Sequence, residues 1–240
     1  MLQKVDRLLG GLLPRSCIFC GLDGGEQACC EGCRADLNWI LHPCRCCGAP
    51  LPPGYPGDRC AGRCMTADAR LRMRSALVYE YPLERIIAGA KFHQRLNFAV
   101  ALGELLGVYL NGPTGLSPAE RPEVIVPVPL HRRRLAARGF NQAAEIAQPV
   151  SRRLGLPLCP DACVRVRHTI EQSSLTGRAR RRNLVGAFKA GGELAGLRVA
   201  IVDDVLTTGS TVQAMAAAVL EAGAGDVQVW TVARTCTAAR

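Results

Sequence analysis

Residues Val199 to Thr211 read V-A-I-V-D-D-V-L-T-T-G-S-T, and they concentrate more chemistry than any other stretch of the chain. Four apolar residues, Val199 to Val202, fit a strand of a parallel sheet buried on both faces. Asp203 and Asp204 follow at its carboxyl end, where open α/β sheets place their ligands. Thr207, Thr208, Gly209, Ser210 and Thr211 then supply hydroxyls and a permissive backbone as the next helix begins. That helix shows in Val212, Met215, Ala216, Val219 and Leu220, spaced as one apolar face. Amide donors at a helix start, on the positive end of its dipole, suit a phosphate group. Carboxylates repel phosphate, so the two aspartates need other partners: ribose hydroxyls or a divalent cation. Neither G-x-x-x-x-G-K-[ST] nor G-x-G-x-x-G occurs, which removes the common nucleoside-triphosphate and dinucleotide loops. The plain alternative is a βα turn in which Ser210 or Thr211 only caps the helix. Two adjacent acids, followed in register by five small or hydroxyl residues, weigh against it.

Ten of the 13 cysteines lie between Cys17 and Cys64. Paired C-x-x-C steps set two thiolates on one tight turn, half of a tetrahedral zinc site. Cys17/Cys20 with Cys30/Cys33 makes one four-thiolate set, and Cys44/Cys47 with Cys60/Cys64 makes another. Gly21 and Gly48 follow Cys20 and Cys47, giving the C-x-x-C-G form of a zinc knuckle. Two successive knuckle pairs look like a double zinc ribbon holding one or two structural Zn2+ ions, since four thiolates leave no position open for a catalytic water. Cys60 and Cys64 depart from the pattern with three intervening residues. Cys29 and Cys46 are spare and each can replace a neighbour, and an interleaved pairing also fits the spacing. Reduced thiols without metal are the competing reading. A segment this short and this rich in Gly and Pro buries little core, so metal binding would supply its folding energy.

The rest of the chain reads as the scaffold for the Asp-Asp loop. Ala76 to Tyr79, Val124 to Val128, Val199 to Val202 and Val227 to Val232 are strand candidates. Pro82 to Phe92, Leu96 to Leu110 and Asn141 to Leu154 read as helices with apolar faces. The alternation predicts an α/β domain with a parallel sheet and helices on both faces. The boundaries read as a helical leader at 1–15, the ribbon at 16–68 and the sheet domain at 72–236. Two further stretches reach the carboxyl edge of that sheet. Pro127 to Gln142 reads as a basic loop able to hold pyrophosphate through Arg138 and backbone amides, with a plain solvated basic turn as the alternative. Thr169 to Phe188 reads as a flap with a short basic helix, where Arg178 and Arg182 would meet an anion, or as a plain exposed linker.

The formal charge of +10 favours a polyanionic partner. Only Lys4, Lys91 and Lys189 of the 30 basic residues are lysines, so the arginine excess can reflect base composition, and position counts for more than the total. Leu8, Leu9, Leu12 and Leu13 are broken by glycines and form no targeting signal. No apolar run is long enough for a membrane span, and a cytoplasmic location is expected.

The strand, paired acids and T-T-G-S-T loop resemble the ribose-5-phosphate signature of type I phosphoribosyltransferases. The likeness widens with R-G-F-N-Q at Arg138 to Gln142, T-x-x-Q-x-x-L at Thr169 to Leu175, and R-N at Arg182 and Asn183. With Lys91-Phe92 added, the chain is similar over nearly its whole length to the ComF family. That family fuses a double zinc ribbon to a type I phosphoribosyltransferase-like domain. The resemblance implies that Asp203 and Asp204 are the catalytic acids holding the ribose 2- and 3-hydroxyls, and that Thr207 to Thr211 wrap the 5-phosphate. It implies phosphoribosyl pyrophosphate with Mg2+ as ligand, and a role in DNA uptake, natural transformation or use of external DNA. Single-stranded DNA and a competence helicase or recombination mediator are the partners it suggests. Its alternative is an active phosphoribosyltransferase that transfers ribose 5-phosphate to a nitrogen acceptor the chain does not identify.

Overall fold

The computed structural model of the chain describes residues 15–25, 27–60, 71–92, 95–167 and 184–236. The leader residues 1–14, Cys64, and the flap residues Arg178, Arg182 and Asn183 lie outside the described residues. Numbered in chain order, the main strands are β1 (Leu71–Val78), β2 (Val124–Pro127), β5 (Arg198–Leu206) and β6 (Asp226–Arg234). They form one parallel sheet in the spatial order β1-β6-β5-β2. A two-stranded antiparallel hairpin, β3 (Cys163–Arg165) with β4 (Phe188–Ala190), stands apart from it.

The helices are α1 (Glu31–Ala35), α2 (Leu83–Phe92), α3 (Leu96–Leu110), α4 (Arg132–Arg138), α5 (Gln142–Leu154) and α6 (Ser210–Glu221). Successive strand residues feed two separate cores, as the two-residue repeat of a strand requires. Ala200 and Val202 of β5 join Ile87 of α2, Leu102 and Leu106 of α3, and Ile146 and Val150 of α5. Val199 and Ile201 point the other way, to Val212, Met215 and Val219 of α6 and to Phe188 of the hairpin. Helices therefore cover both faces, as the sequence predicts. Each of these side chains larger than alanine contributes about 1.5–3 kcal/mol by leaving water, which outweighs the small differences in helix propensity. Helix α3 packs closely on α5. A Cβ added to Gly103 would sit 2.2 Å from the Ile146 carbonyl oxygen, so only glycine lets these two backbones approach.

Both margins of the sheet are covered. Residues 38–40 lie antiparallel along β1: the Ile40 amide donates to Ala76 O at 2.9 Å and the Val78 amide to Asn38 O at 3.0 Å. Trp39 stacks on Tyr109 of α3 with ring centroids 6.2 Å apart, and the Tyr109 hydroxyl donates to Ile40 O at 2.9 Å. Glu104 of α3 pairs with Arg15 at 3.0 Å and accepts the Ala28 amide at 3.3 Å. The cysteine-rich segment is thus packed onto the sheet domain. At the opposite margin the Ile125 amide of β2 donates to Pro157 O at 2.8 Å, and the Cys159 amide donates to Ile125 O at 2.9 Å.

Three expectations shift. The strand expected at Val199 to Val202 runs on to Leu206 because β6 continues to pair with it as far as Arg234. The strand expected at Ala76 to Tyr79 begins earlier, at Leu71, in register with Val227. The basic stretch after β2 is not wholly a loop: Arg132–Arg138 is a helix, capped by His131, whose Nδ1 accepts the Arg133 amide at 3.3 Å. Arginine, leucine and alanine are strong helix formers, and they win there over the expected turn. Among the described residues no helix is long and apolar enough to cross a membrane.

Candidate functional site

The extension of β5 places both aspartates inside the strand, so their side chains leave on opposite faces. Asp204 lies on the side of α2 and α5 and is buried. Its Oδ2 meets Lys91 Nζ from the last turn of α2 at 2.7 Å and accepts Gln142 Nε2 from the first turn of α5 at 2.8 Å. Its Oδ1 accepts the Val205 amide at 2.6 Å. Burial opposes the Lys91 charge, but the Asp204 carboxylate more than offsets it, and Asp203 adds to that pull, so the ammonium is held more firmly than an ordinary lysine. Asp203 is half-buried and its Oδ1 accepts the Asp204 amide at 2.9 Å. Burial, then the adjacent Asp204 charge, raise its carboxyl to about 7. Arg165 of β3 is a cation on this second side. It lies 5.4 Å above the Phe188 ring and draws Asp203 back toward the ionised form.

The hydroxyl loop follows at once. Thr207 and Thr208 are exposed, Gly209 and Ser210 are buried, and Thr211 is half-buried. Gly209 caps α6 in the left-handed conformation, φ 75° and ψ 0°, which a residue with a Cβ adopts only under strain. Thr208 Oγ1 and Ser210 Oγ share a hydrogen bond of 3.0 Å across it. From the end of β6, Arg234 Nη1 donates to Leu206 O at 2.9 Å and also to Thr207 O, fixing the loop where it leaves the strand. Among the predicted anion-binding residues, Arg138 ends α4, where a cation complements the helix dipole, and reaches Gln142 Oε1 at 3.5 Å. Arg178 and Arg182 belong to the segment outside the described residues. Its flanks are tied together by the β3–β4 hairpin, so Phe188 is part of a strand rather than of the expected flap.

Lys91, Gln142, Arg165 and Arg234 are site residues to which the sequence alone assigned no role. Lys91 and Gln142 stand in the motifs that carry the family resemblance. Arg165 stands in an arginine cluster. Arg234 carried no signal beyond a charge at the end of an apolar strand.

The thiols resolve the pairing that the spacing leaves open. Cys17, Cys20, Cys30 and Cys33 present Sγ atoms all within 4.8 Å of one another, and so do Cys44, Cys47 and Cys60. The Cys20–Cys30 and Cys47–Cys60 sulfur separations are each 3.8 Å. That is about the edge of a tetrahedron of sulfurs 2.3 Å from a central zinc. The sets are sequential rather than interleaved, and neither includes Cys29 or Cys46. Backbone amides point at the sulfurs, Cys30 N to Cys17 Sγ at 3.4 Å and Cys60 N to Cys44 Sγ at 3.3 Å. Burial opposes ionisation of Cys17 and Cys44, yet these amide bonds prevail and bring the thiols down to about 6 and about 7. The clusters could bind zinc.

Where the first knuckle meets α2 and α3 there is a groove of about 500 Å³ lined by Phe19, Tyr81, Arg85, Arg95 and Phe98. Tyr81 is 68% exposed, and the Arg95 guanidinium lies 5.1 Å over the Phe98 ring.

Residues 141–238 match the phosphoribosyl transferase domain family, a span that begins at the α5 cap and includes the Asp-Asp loop and β6. DNA utilization protein YhgH of Salmonella typhi is 39% identical over 210 residues, 86% of this chain and 90% of that protein. Competence protein F of Haemophilus influenzae is 33% identical over 224 residues, 91% of this chain and 96% of that protein. Competence protein ComFC of Bacillus subtilis is 26% identical over 219 residues, 88% of this chain and 85% of that protein. The fold is accordingly of the type I phosphoribosyltransferase kind, preceded by cysteine clusters that could form a zinc ribbon.

Proposed function

The chain belongs to the ComF family, and on that premise we propose that it serves DNA uptake or the use of external DNA through a phosphoribosyl pyrophosphate-binding site. The observation that carries this reading is the left-handed Gly209 turn, which starts α6 directly after the Asp203–Asp204 pair. A 5-phosphate would lie on the α6 start and the Thr207–Thr211 loop. The two acids would stand at the sugar, and Arg138, with Arg178 and Arg182, would face the pyrophosphate and its Mg2+. The knuckle sets would each hold a structural zinc, with Cys64 as fourth ligand of the second set. This division follows the ribbon at 16–68 and the sheet domain at 72–236, in a protein of the cytoplasm.

The groove beside the first knuckle supports a DNA contact. An exposed ring, Tyr81, set among arginines is what an unpaired base and its phosphates require. A competence helicase or recombination mediator is the partner that such a role implies. Transfer of ribose 5-phosphate to a nitrogen acceptor is the second reading, favoured by the domain-family match over the whole loop.

Calorimetric titration with phosphoribosyl pyrophosphate and magnesium, beside single-stranded DNA binding at two salt concentrations, tests both. We expect the sugar phosphate to bind without pyrophosphate release. We also expect DNA binding to weaken steeply with salt and to fall about tenfold or more in Tyr81→Ala, the loss expected when a stacked base is deprived of its ring. Pyrophosphate release on adding a mixture of bases would move the conclusion to the transferase. Protein that binds neither ligand would refute the reading.

A further inference from the structure

The paired aspartates are not equivalent, and the difference gives Lys91 a part in holding the ligand. A carboxylate offers about four lone-pair positions. Asp204 commits three of them to donors of the protein itself: Lys91 Nζ at 2.7 Å, Gln142 Nε2 at 2.8 Å and the Val205 amide at 2.6 Å. A sugar hydroxyl that turned to Asp204 would have to displace an ammonium from a buried partner. Asp203 accepts one backbone amide, on Oδ1, from the opposite face of the strand.

Lys91 reaches the carboxyl edge from the face that carries α2, α3 and α5, whereas the α6 start belongs to the other face. A ribose laid across the edge with its 5-phosphate on α6 therefore turns its C1 end toward Lys91. The Lys91 side chain is 30% exposed, and its ammonium has three N–H donors, of which Asp204 Oδ2 takes one. Almost every other cation of this chain is an arginine; here stands a lysine, the compact and strongly hydrated charge.

We infer that Lys91 is a ligand-contacting cation for the group at C1 of the sugar, aimed by Asp204 and Gln142, and that Asp204 acts through Lys91 while Asp203 meets the hydroxyls. Lys91 thereby determines specificity: it favours a sugar bearing pyrophosphate at C1 over the bare sugar phosphate. This assignment rests on the sugar-phosphate reading of the site.

The experiment is calorimetry on the full chain with two probes, ribose 5-phosphate and phosphoribosyl pyrophosphate, at one fixed magnesium concentration. The variants are Lys91→Met, Lys91→Arg, Asp204→Asn and the double variant Lys91→Met with Asp204→Asn. Loss of one charge-assisted contact predicts about a 10- to 100-fold weaker binding of phosphoribosyl pyrophosphate to Lys91→Met. Ribose 5-phosphate should bind Lys91→Met within about threefold of wild type, since its contacts lie on α6 and Asp203. Asp204→Asn should weaken phosphoribosyl pyrophosphate more than it weakens ribose 5-phosphate, the double variant should lose no more of the pyrophosphate preference than Lys91→Met alone, and Lys91→Arg should recover part of the loss. The ribose 5-phosphate titration reports whether each variant is folded.

Lys91→Met that binds both probes as wild type overturns the assignment. So does an equal loss of both probes in a variant that melts like wild type, or losses that simply add in the double variant. Wild-type protein that binds neither probe overturns the sugar-phosphate reading, and the assignment with it.

Discussion

Asp203→Asn should make the protein more stable and its ligand site worse, and the pH at which this happens follows from the structure. Burial and the Asp204 charge raise the Asp203 carboxyl from 3.8 to about 7. The folded protein therefore holds this proton more tightly than the unfolded chain does. The contribution to stability is fully present below pH 3.8 and is lost as the pH rises to about 7. At 1.36 kcal/mol per tenfold change in proton affinity, the interval corresponds to about 4 kcal/mol at most, and solvent access to the half-buried side chain reduces it to about 1–2 kcal/mol. Asparagine retains the oxygen that accepts the Asp204 amide and carries no charge. For a chain of this size the Tm should rise by roughly 2–8 °C at pH 8, and by less than half of that at pH 5. Ribose 5-phosphate binding should weaken about tenfold in the same protein, because a hydroxyl loses a charged acceptor. Circular dichroism melts of the zinc-loaded protein at the two pH values, with calorimetry alongside, measure both effects. A Tm gain equal at pH 5 and pH 8, or a loss at pH 8, would refute the buried-charge account.

Removing metal with a strong chelator should lower Tm and shift Trp39 emission to the red, because residues 38–40 are stitched to β1 and Trp39 stacks on Tyr109. Fully buried Trp230 serves as the internal reference, and unchanged Trp39 emission would show that docking does not depend on the metal. Gly103→Ala should lower stability by about 1–3 kcal/mol, since its Cβ would fall 2.2 Å from Ile146 O. An unaltered urea midpoint would show that α3 and α5 separate at little cost.

The strand, the acids and the hydroxyl loop were legible because they are contiguous, and their order alone fixes a carboxyl-edge site. The alternating helices and strands were legible for the same reason. The Lys91–Asp204–Gln142 cluster was not, because its members come from three elements joined only by the sheet topology. The opposite facing of the two aspartates was hidden by a boundary. Read as ending at Val202, the strand leaves both acids in a loop; its pairing to Leu206 imposes the two-residue alternation on them. Helix α4 was missed because arginines read as a basic loop when His131 is not recognised as a cap. The cysteine sets were half legible: spacing proposed the pairs, and only the fold excluded the interleaved arrangement.

The short antiparallel run at Trp39 and the Leu158 crossover on Ile125 have a consequence for assembly. A sheet of four strands usually offers two rows of backbone donors and acceptors to any neighbour that can add a strand. Here the chain's own loops already occupy part of each row, at Met73, Ala76 and Val78 on one side and at Ile125 on the other, so strand addition to this sheet is hindered at either side. Around this sheet, contacts with other macromolecules then fall to side chains of helices and knuckles, whose pattern of rings and arginines can discriminate between partners in a way that a bare backbone edge cannot.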